Sequence, residues 1–148
     1  MTNTSTQDIV IGAITGYDFQ AIAPWVNSLE RSGFTGMKAM LCYNIKQPVI
    51  DELAKRGFTI FAFEQNAEGV VHTKPFNIVV ERFFHMWLFL KDAKEKYNLR
   101  YLIAPDVRDV VFQSNPSEWL EQNINGKKII APEESIPYEH EAWGKQNL

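Results

Sequence analysis

Two carboxylates and a guanidinium crowd into four residues at Asp106-Val107-Arg108-Asp109, and Val110-Val111-Phe112-Gln113 follows directly. Aspartate oxygens are hard donors that suit magnesium or manganese. Those ions commonly take one or two protein carboxylates and complete their shell with substrate phosphates and water. An ion so held would neutralise charge on a departing diphosphate. The same residues equally suit a loop whose aspartates cap Arg108 or the next helix. Arg82 stands in an otherwise apolar stretch, and a buried arginine needs an anionic partner. Asp106 or Asp109 would make that pairing structural; a ligand phosphate gripped by the guanidinium fork would make it functional. Arg108 presents the same choice with less burial. Ile14-Thr15-Gly16-Tyr17 joins small residues, which let a ligand approach the backbone, to a ring able to stack on a base. An ordinary strand-to-helix turn has the same composition. Glu133 and Glu134 form a further acidic pair, usable as a general base or acceptor ligand, or simply as the acidic first turn of a helix.

Other chemistries are excluded on spacing. Gly12-Ala13-Ile14-Thr15-Gly16 lacks the third glycine of the dinucleotide fingerprint, and no Gly-Lys-Ser/Thr forms a phosphate loop. His72, His85 and His140 are scattered without zinc spacing. No serine elbow is present. An aspartyl-phosphate phosphatase would carry its acids on the first strand, whereas here they follow the fourth.

These residues need elements to position them. Asp8 to Ile14 is a nearly continuous apolar run, the pattern of a parallel strand buried on both faces. Ile22, Trp25, Val26 and Leu29 recur at helical spacing before Gly33. Lys38 to Tyr43 reads as a second strand, Pro48 to Arg56 as a second helix ending at Gly57, and Phe58 to Phe63 as a third strand. A polar loop over 64–75 precedes a long helix from about Phe76 to Tyr97. Its stripe is Val79, Phe83, Met86, Leu90, Ala93 and Tyr97, and Phe84, Trp87 and Leu88 predict a largely enclosed helix. Arg100 to Ala104 is a fourth strand, so the acids lie where a buried strand emerges into a loop. In open α/β sheets ligands bind just outside such carboxyl ends. Asn115-Pro116-Ser117-Glu118 starts another helix with an N-cap, a first-position proline and a capping-box partner. Lys128 to Ala131 reads as a fifth short strand, and Tyr138 to Leu148 as a partly helical tail.

Strands alternating with helices predict an α/β fold, a mostly parallel sheet flanked by helices on both faces. With 148 residues and a net charge of -3, residues 8–148 fit one domain behind a polar leader, 1–7. No basic cluster marks nucleic acid as a partner, no apolar run is long enough for a membrane span, and the single Cys42 suits a small buried hydrophobe in a reducing, cytoplasmic setting. The chain reaches Leu148 without a stop signal, which reads as the edge of a fragment.

Taken together, Ile14-Thr15-Gly16-Tyr17, Arg82-Phe83 and Asp106-Val107-Arg108-Asp109-Val110-Val111-Phe112-Gln113 with Asn115-Pro116 behind it resemble the GT-A-type (Rossmann-like) glycosyltransferases. The similarity points to virus-encoded and related sugar transferases, and Pro132-Glu133-Glu134-Ser135, Tyr138, Trp143 and Asn147 extend it. It implies a nucleotide-diphosphate-sugar donor, a divalent metal (Mn2+ or Mg2+) and transfer of a hexosyl or deoxyhexosyl group to a glycan acceptor hydroxyl, in a host cytoplasm where the chain is virus-encoded. By that analogy Ile14, Thr15, Gly16 and Tyr17 meet the nucleotide. Asp106, Val107 and Arg108 line the ribose and diphosphate with Arg82, and Asp106 and Asp109 hold the metal. The common GT-A signature has acids at its first and third positions; here the third is Arg108 and the second acid is fourth. On an extended strand the first and fourth residues face opposite ways, so the two aspartates share one ion only where the chain turns between them. Residues of the acceptor half are expected to be incomplete. Two other readings fit the same chain: a domain that holds a nucleotide or nucleotide sugar without turnover, and an interaction domain whose aromatics form an interface.

Overall fold

A computed structural model describes residues 6–63, 78–132, 137, 140, 142 and 146. The first apolar run forms β1 (Thr6–Thr15). It is followed by α1 (Phe19–Arg31), β2 (Met37–Tyr43), α2 (Gln47–Lys55), β3 (Phe58–Phe63), α3 (Ile78–Lys96), β4 (Asn98–Ile103) and α4 (Pro116–Asn123). The strands make one all-parallel sheet in the order β3-β2-β1-β4. Thr15 pairs with Tyr43, and Val10 with Ile103. The chain therefore travels outward from β1 through β2 to β3, then returns to lay β4 on the other side of β1.

Period-two alternation divides β1 between two cores. Val10 and Ile14 point toward α1 and α2, packing with Ile22, Trp25, Val26, Leu29 and Leu53. Ile9 and Ile11 point to the opposite face, where Met86, Phe89 and Ala93 of α3 cover them. The result is an α/β fold with helices on both faces of a parallel sheet. The local signals behave as their chemistry requires. Asp18 caps α1 by accepting from Ala21 N at 2.9 Å, and Gly33 and Gly57 leave α1 and α2 with φ of 74° and 79°. Asn115 caps α4 by accepting from Ser117 N at 3.0 Å. Cys42 is buried in the first core.

Four expectations change. Thr6 and Gln7 belong to β1 rather than to a leader, because the ladder with Asn98 and Leu99 takes up their backbone. Residues 128–131 form no strand: Asn125 and Gly126 take left-handed backbone after α4, Lys127 N donates to Ile124 O at 2.8 Å, and Ile129 is left 81% exposed with no ladder to join. α3 is not enclosed among the described residues. The sheet covers one narrow stripe of it, and Val79, Phe83, Phe84 and Trp87 are each more than half exposed. Met86, Phe89 and Ala93 are its buried residues and Leu90 packs against them, so three of the six expected positions face in, Val79, Phe83 and Tyr97 do not, and Phe89 joins the stripe. In the tail, Ala142 and Gln146 are helical; Glu133, Glu134, Tyr138, Trp143 and Asn147 lie outside the described residues.

Candidate functional site

Reversal of the chain direction at β1 makes the gap between the carboxyl ends of β1 and β4 a topological switch point, where open parallel sheets bind ligands. Both sequence motifs arrive there. Thr15-Gly16-Tyr17 leaves β1, and Asp106 follows β4 by three residues. Ile14 itself is fully buried under α1, so only its backbone faces this edge, and Tyr17 is partly buried against the same core. Gly16 has φ of 63° with open space where a Cβ would point, and its N–H donates to Tyr43 O at 3.4 Å. An alanine there would be strained by its backbone, not by crowding.

The acid loop is clamped to β1 by Val107. This side chain is 4% exposed, and a Cβ placed on Gly12 would come within 2.6 Å of Val107 Cγ2 and 3.0 Å of Met40 Sδ. Gly12 is thus an approach glycine: it lets the β4 loop lie flat across β1. Val107 is a packing anchor, with exposed Asp106 and Arg108 on either side of it. Residues Val107 to Asp109 form a turn, so the strand alternation that would set Asp106 and Asp109 on opposite faces does not apply. Farther along, Phe112 meets Trp25 edge-on at 5.4 Å and its N–H donates to Ser28 Oγ at 3.0 Å. The loop is therefore fastened at both ends.

From the other face of the sheet, α3 sends Arg82 to this loop. Its Nη1 donates to Asp106 Oδ1 at 2.5 Å. Of the two expected acidic partners the structure selects Asp106. The contact uses one guanidinium nitrogen only. Arg82 Nε is buried without a hydrogen-bond partner, and the guanidinium lies 4.9 Å from the Phe83 ring. Asp106 keeps 59% of its side chain in solvent, and Arg108 and Asp109 are exposed.

Two features at the sheet edges were missing from the sequence reading. Tyr43, the last residue of β2, shares a 2.7 Å hydrogen bond with His85 Nδ1 of α3, and Phe63 stacks on the same imidazole at 4.2 Å. Burial pushes the Tyr43 phenol well above its ordinary range; Glu81 adds to this and Arg82 opposes it. At the opposite, amino edge, Asp8 receives a two-pronged contact from Arg100, Nε to Oδ1 at 2.9 Å and Nη2 to Oδ2 at 2.7 Å, and accepts from Tyr101 N at 3.2 Å. The β1–β4 register slips here, setting Arg100 and Tyr101 against the single Asp8, whose carboxylate takes the amide that the ladder leaves over. The only sequence signal was a charge at the head of an apolar run.

The residues present suit one kind of metal. Among the described residues no three His, Cys, Asp or Glu side chains gather closely enough to hold an ion by themselves. Of the described residues, one or two aspartates fit magnesium or manganese that arrives with a phosphorylated ligand. Among the described residues no helix is long and apolar enough to cross a membrane. Compared with known proteins, the chain matches no family model, no curated protein and no solved structure, and the geometry at the switch point is what speaks to function.

Proposed function

We propose that this chain is a GT-A-type glycosyltransferase domain that takes a nucleotide-diphosphate-sugar donor with a divalent metal and passes the sugar to an acceptor hydroxyl. The observation that carries the reading is the meeting of Asp106 and Arg82 at the β1–β4 switch point, on the sheet edge where the Gly16 loop also leaves β1. A carboxylate and a guanidinium at that edge supply the two charges that a metal–diphosphate needs. When bound, the metal would neutralise the diphosphate as it leaves. Asp106 is the residue that holds it, joined by Asp109 across the turn. Arg82 and Arg108 take phosphate oxygens, and Thr15-Gly16-Tyr17 accommodates the nucleotide. Glu133 and Glu134 are the acidic candidates for the acceptor side.

Incubation of the protein with a panel of nucleotide sugars and Mn2+, reading nucleoside diphosphate release, tests the activity; no release with any donor counts against it. Asp106→Ala should abolish donor binding, and unchanged affinity would remove Asp106 from the site. Binding without release would assign the domain to holding a nucleotide rather than turning one over.

A further inference from the structure

We infer that the Arg82–Asp106 ion pair is an exchange latch: the unloaded site satisfies Asp106 with Arg82, and a metal–diphosphate ligand separates the pair, drawing Asp106 to the metal and the guanidinium to the phosphates. The inference deepens the functional reading above and rests on it for the identity of the ligand. Its basis is the incomplete way the pair is made. Arginine matches a carboxylate best through two parallel N–H bonds, as Arg100 shows on Asp8 in this same molecule. Arg82 offers Asp106 a single nitrogen and leaves Nε buried and unpartnered. A buried donor without an acceptor costs free energy, so the latched arrangement is not the best that this guanidinium can reach. A diphosphate presents more acceptor oxygens than one carboxylate and would draw in the unused donors.

The carboxylate side is equally ready to change partners. Asp106 is 59% exposed, its loop is held by Val107 rather than by Arg82, and the turn at Val107–Asp109 leaves it free to swing without unpacking the core. The two ligands of one substrate thus need opposite halves of one ion pair. Metal alone must compete with Arg82 for Asp106. Diphosphate alone must compete with Asp106 for Arg82. Together they exchange both at once, which makes their binding mutually reinforcing.

The latch has a crosswise signature in binding alone, without turnover. Titrate Mn2+ without nucleotide by electron paramagnetic resonance, and inorganic pyrophosphate in chelator by calorimetry, with wild type, Arg82→Gln and Asp106→Asn, each checked by thermal melting. Removing Arg82 should tighten Mn2+ roughly 3- to 10-fold and weaken pyrophosphate by about 10-fold; removing the Asp106 charge should do the reverse. Variants that weaken both ligands, or leave Mn2+ affinity unchanged in Arg82→Gln, overturn the latch while leaving the site reading standing. A wild-type protein that binds neither probe overturns the latch and the site reading together.

Discussion

Gly12 and Val107 offer the sharpest test of how this site is held. In Gly12→Ala the new methyl would sit 2.6 Å from Val107 Cγ2, where carbon atoms at ease are roughly 3.5–4.0 Å apart. Something must move by about 1 Å. β1 is an inner strand of the sheet, paired on both sides, so the displaced partner is the β4 loop that carries Asp106 and Arg108. Overpacking of this kind costs about 1–3 kcal/mol. Val107→Ala removes two buried methyl carbons, worth about 1.6 kcal/mol at roughly 0.8 kcal/mol each. In the double variant the removed Cγ2 makes room for the added Cβ. Its loss should therefore stay near the Val107→Ala value, about 1–3 kcal/mol better than the sum of the singles. Urea unfolding of the four proteins gives the cycle directly. Pyrophosphate affinity in the presence of Mn2+ should fall in Gly12→Ala and recover in the double variant, because the same displacement moves Asp106 and Arg108. Additive free energies would refute the idea that β1 makes room for the acid loop at Gly12.

Other expectations follow from the same geometry. Burial alone would raise the Asp8 carboxyl, but Arg100, Ser117 and the Tyr101 N–H outweigh it and hold it below the usual range. Its contribution is therefore present above the unfolded-state value of roughly 3.9 and fades as pH falls through the lower native value. Asp8→Asn should cost about 2–3 kcal/mol at neutral pH by urea unfolding, with the gap to wild type closing in acid; a gap independent of pH would contradict the pairing. Burial pushes the Cys42 thiol up to about 12, so a thiol reagent at neutral pH should react with it only as fast as the domain opens, and burst labelling of the native protein would place it at the surface. Asn115→Ala removes the α4 cap and the 3.1 Å bond to Gly33 O, and should cost about 1 kcal/mol in thermal unfolding.

The parts of the fold legible in the sequence were those with strong local chemistry. β1, β2 and β3 announced themselves as apolar runs, β1 as one buried on both faces, and α1 as a stripe whose four marked residues all reach the core. The acid loop was placed at a strand end because Leu102 and Ile103 precede it, and the Arg82 partnership followed from the cost of burying a lone charge. α3 was misread because aromatic content is not direction: a helix dense in Phe and Trp shows no single stripe, and only contact with Ile9 and Leu41 reveals which side faces in. Residues 128–131 were misread because an Ile-Ile pair is apolar without belonging to a ladder. Gly12, judged only as a failed fingerprint, turned out to matter for what crosses over it. That is information about two strands far apart in the chain, and no local window contains it.

Thr6 and Asn98 lie side by side though 92 residues separate them. β1, β2 and β3 with α1 and α2 form a contiguous unit of short-range connections, whereas β4 must close a long loop before it can pair, and among the described residues it has a neighbour on one side only. Its amides should be the sheet's first to exchange with deuterium, and β1 and β2 among the last. Each time β4 peels away it carries Asp106, Arg108 and Asp109 with it. The lifetime of the assembled site is then set by the fastest-opening seam of the sheet rather than by the unfolding of the whole, and a ligand bridging β1 and β4 would act as a rivet across that seam.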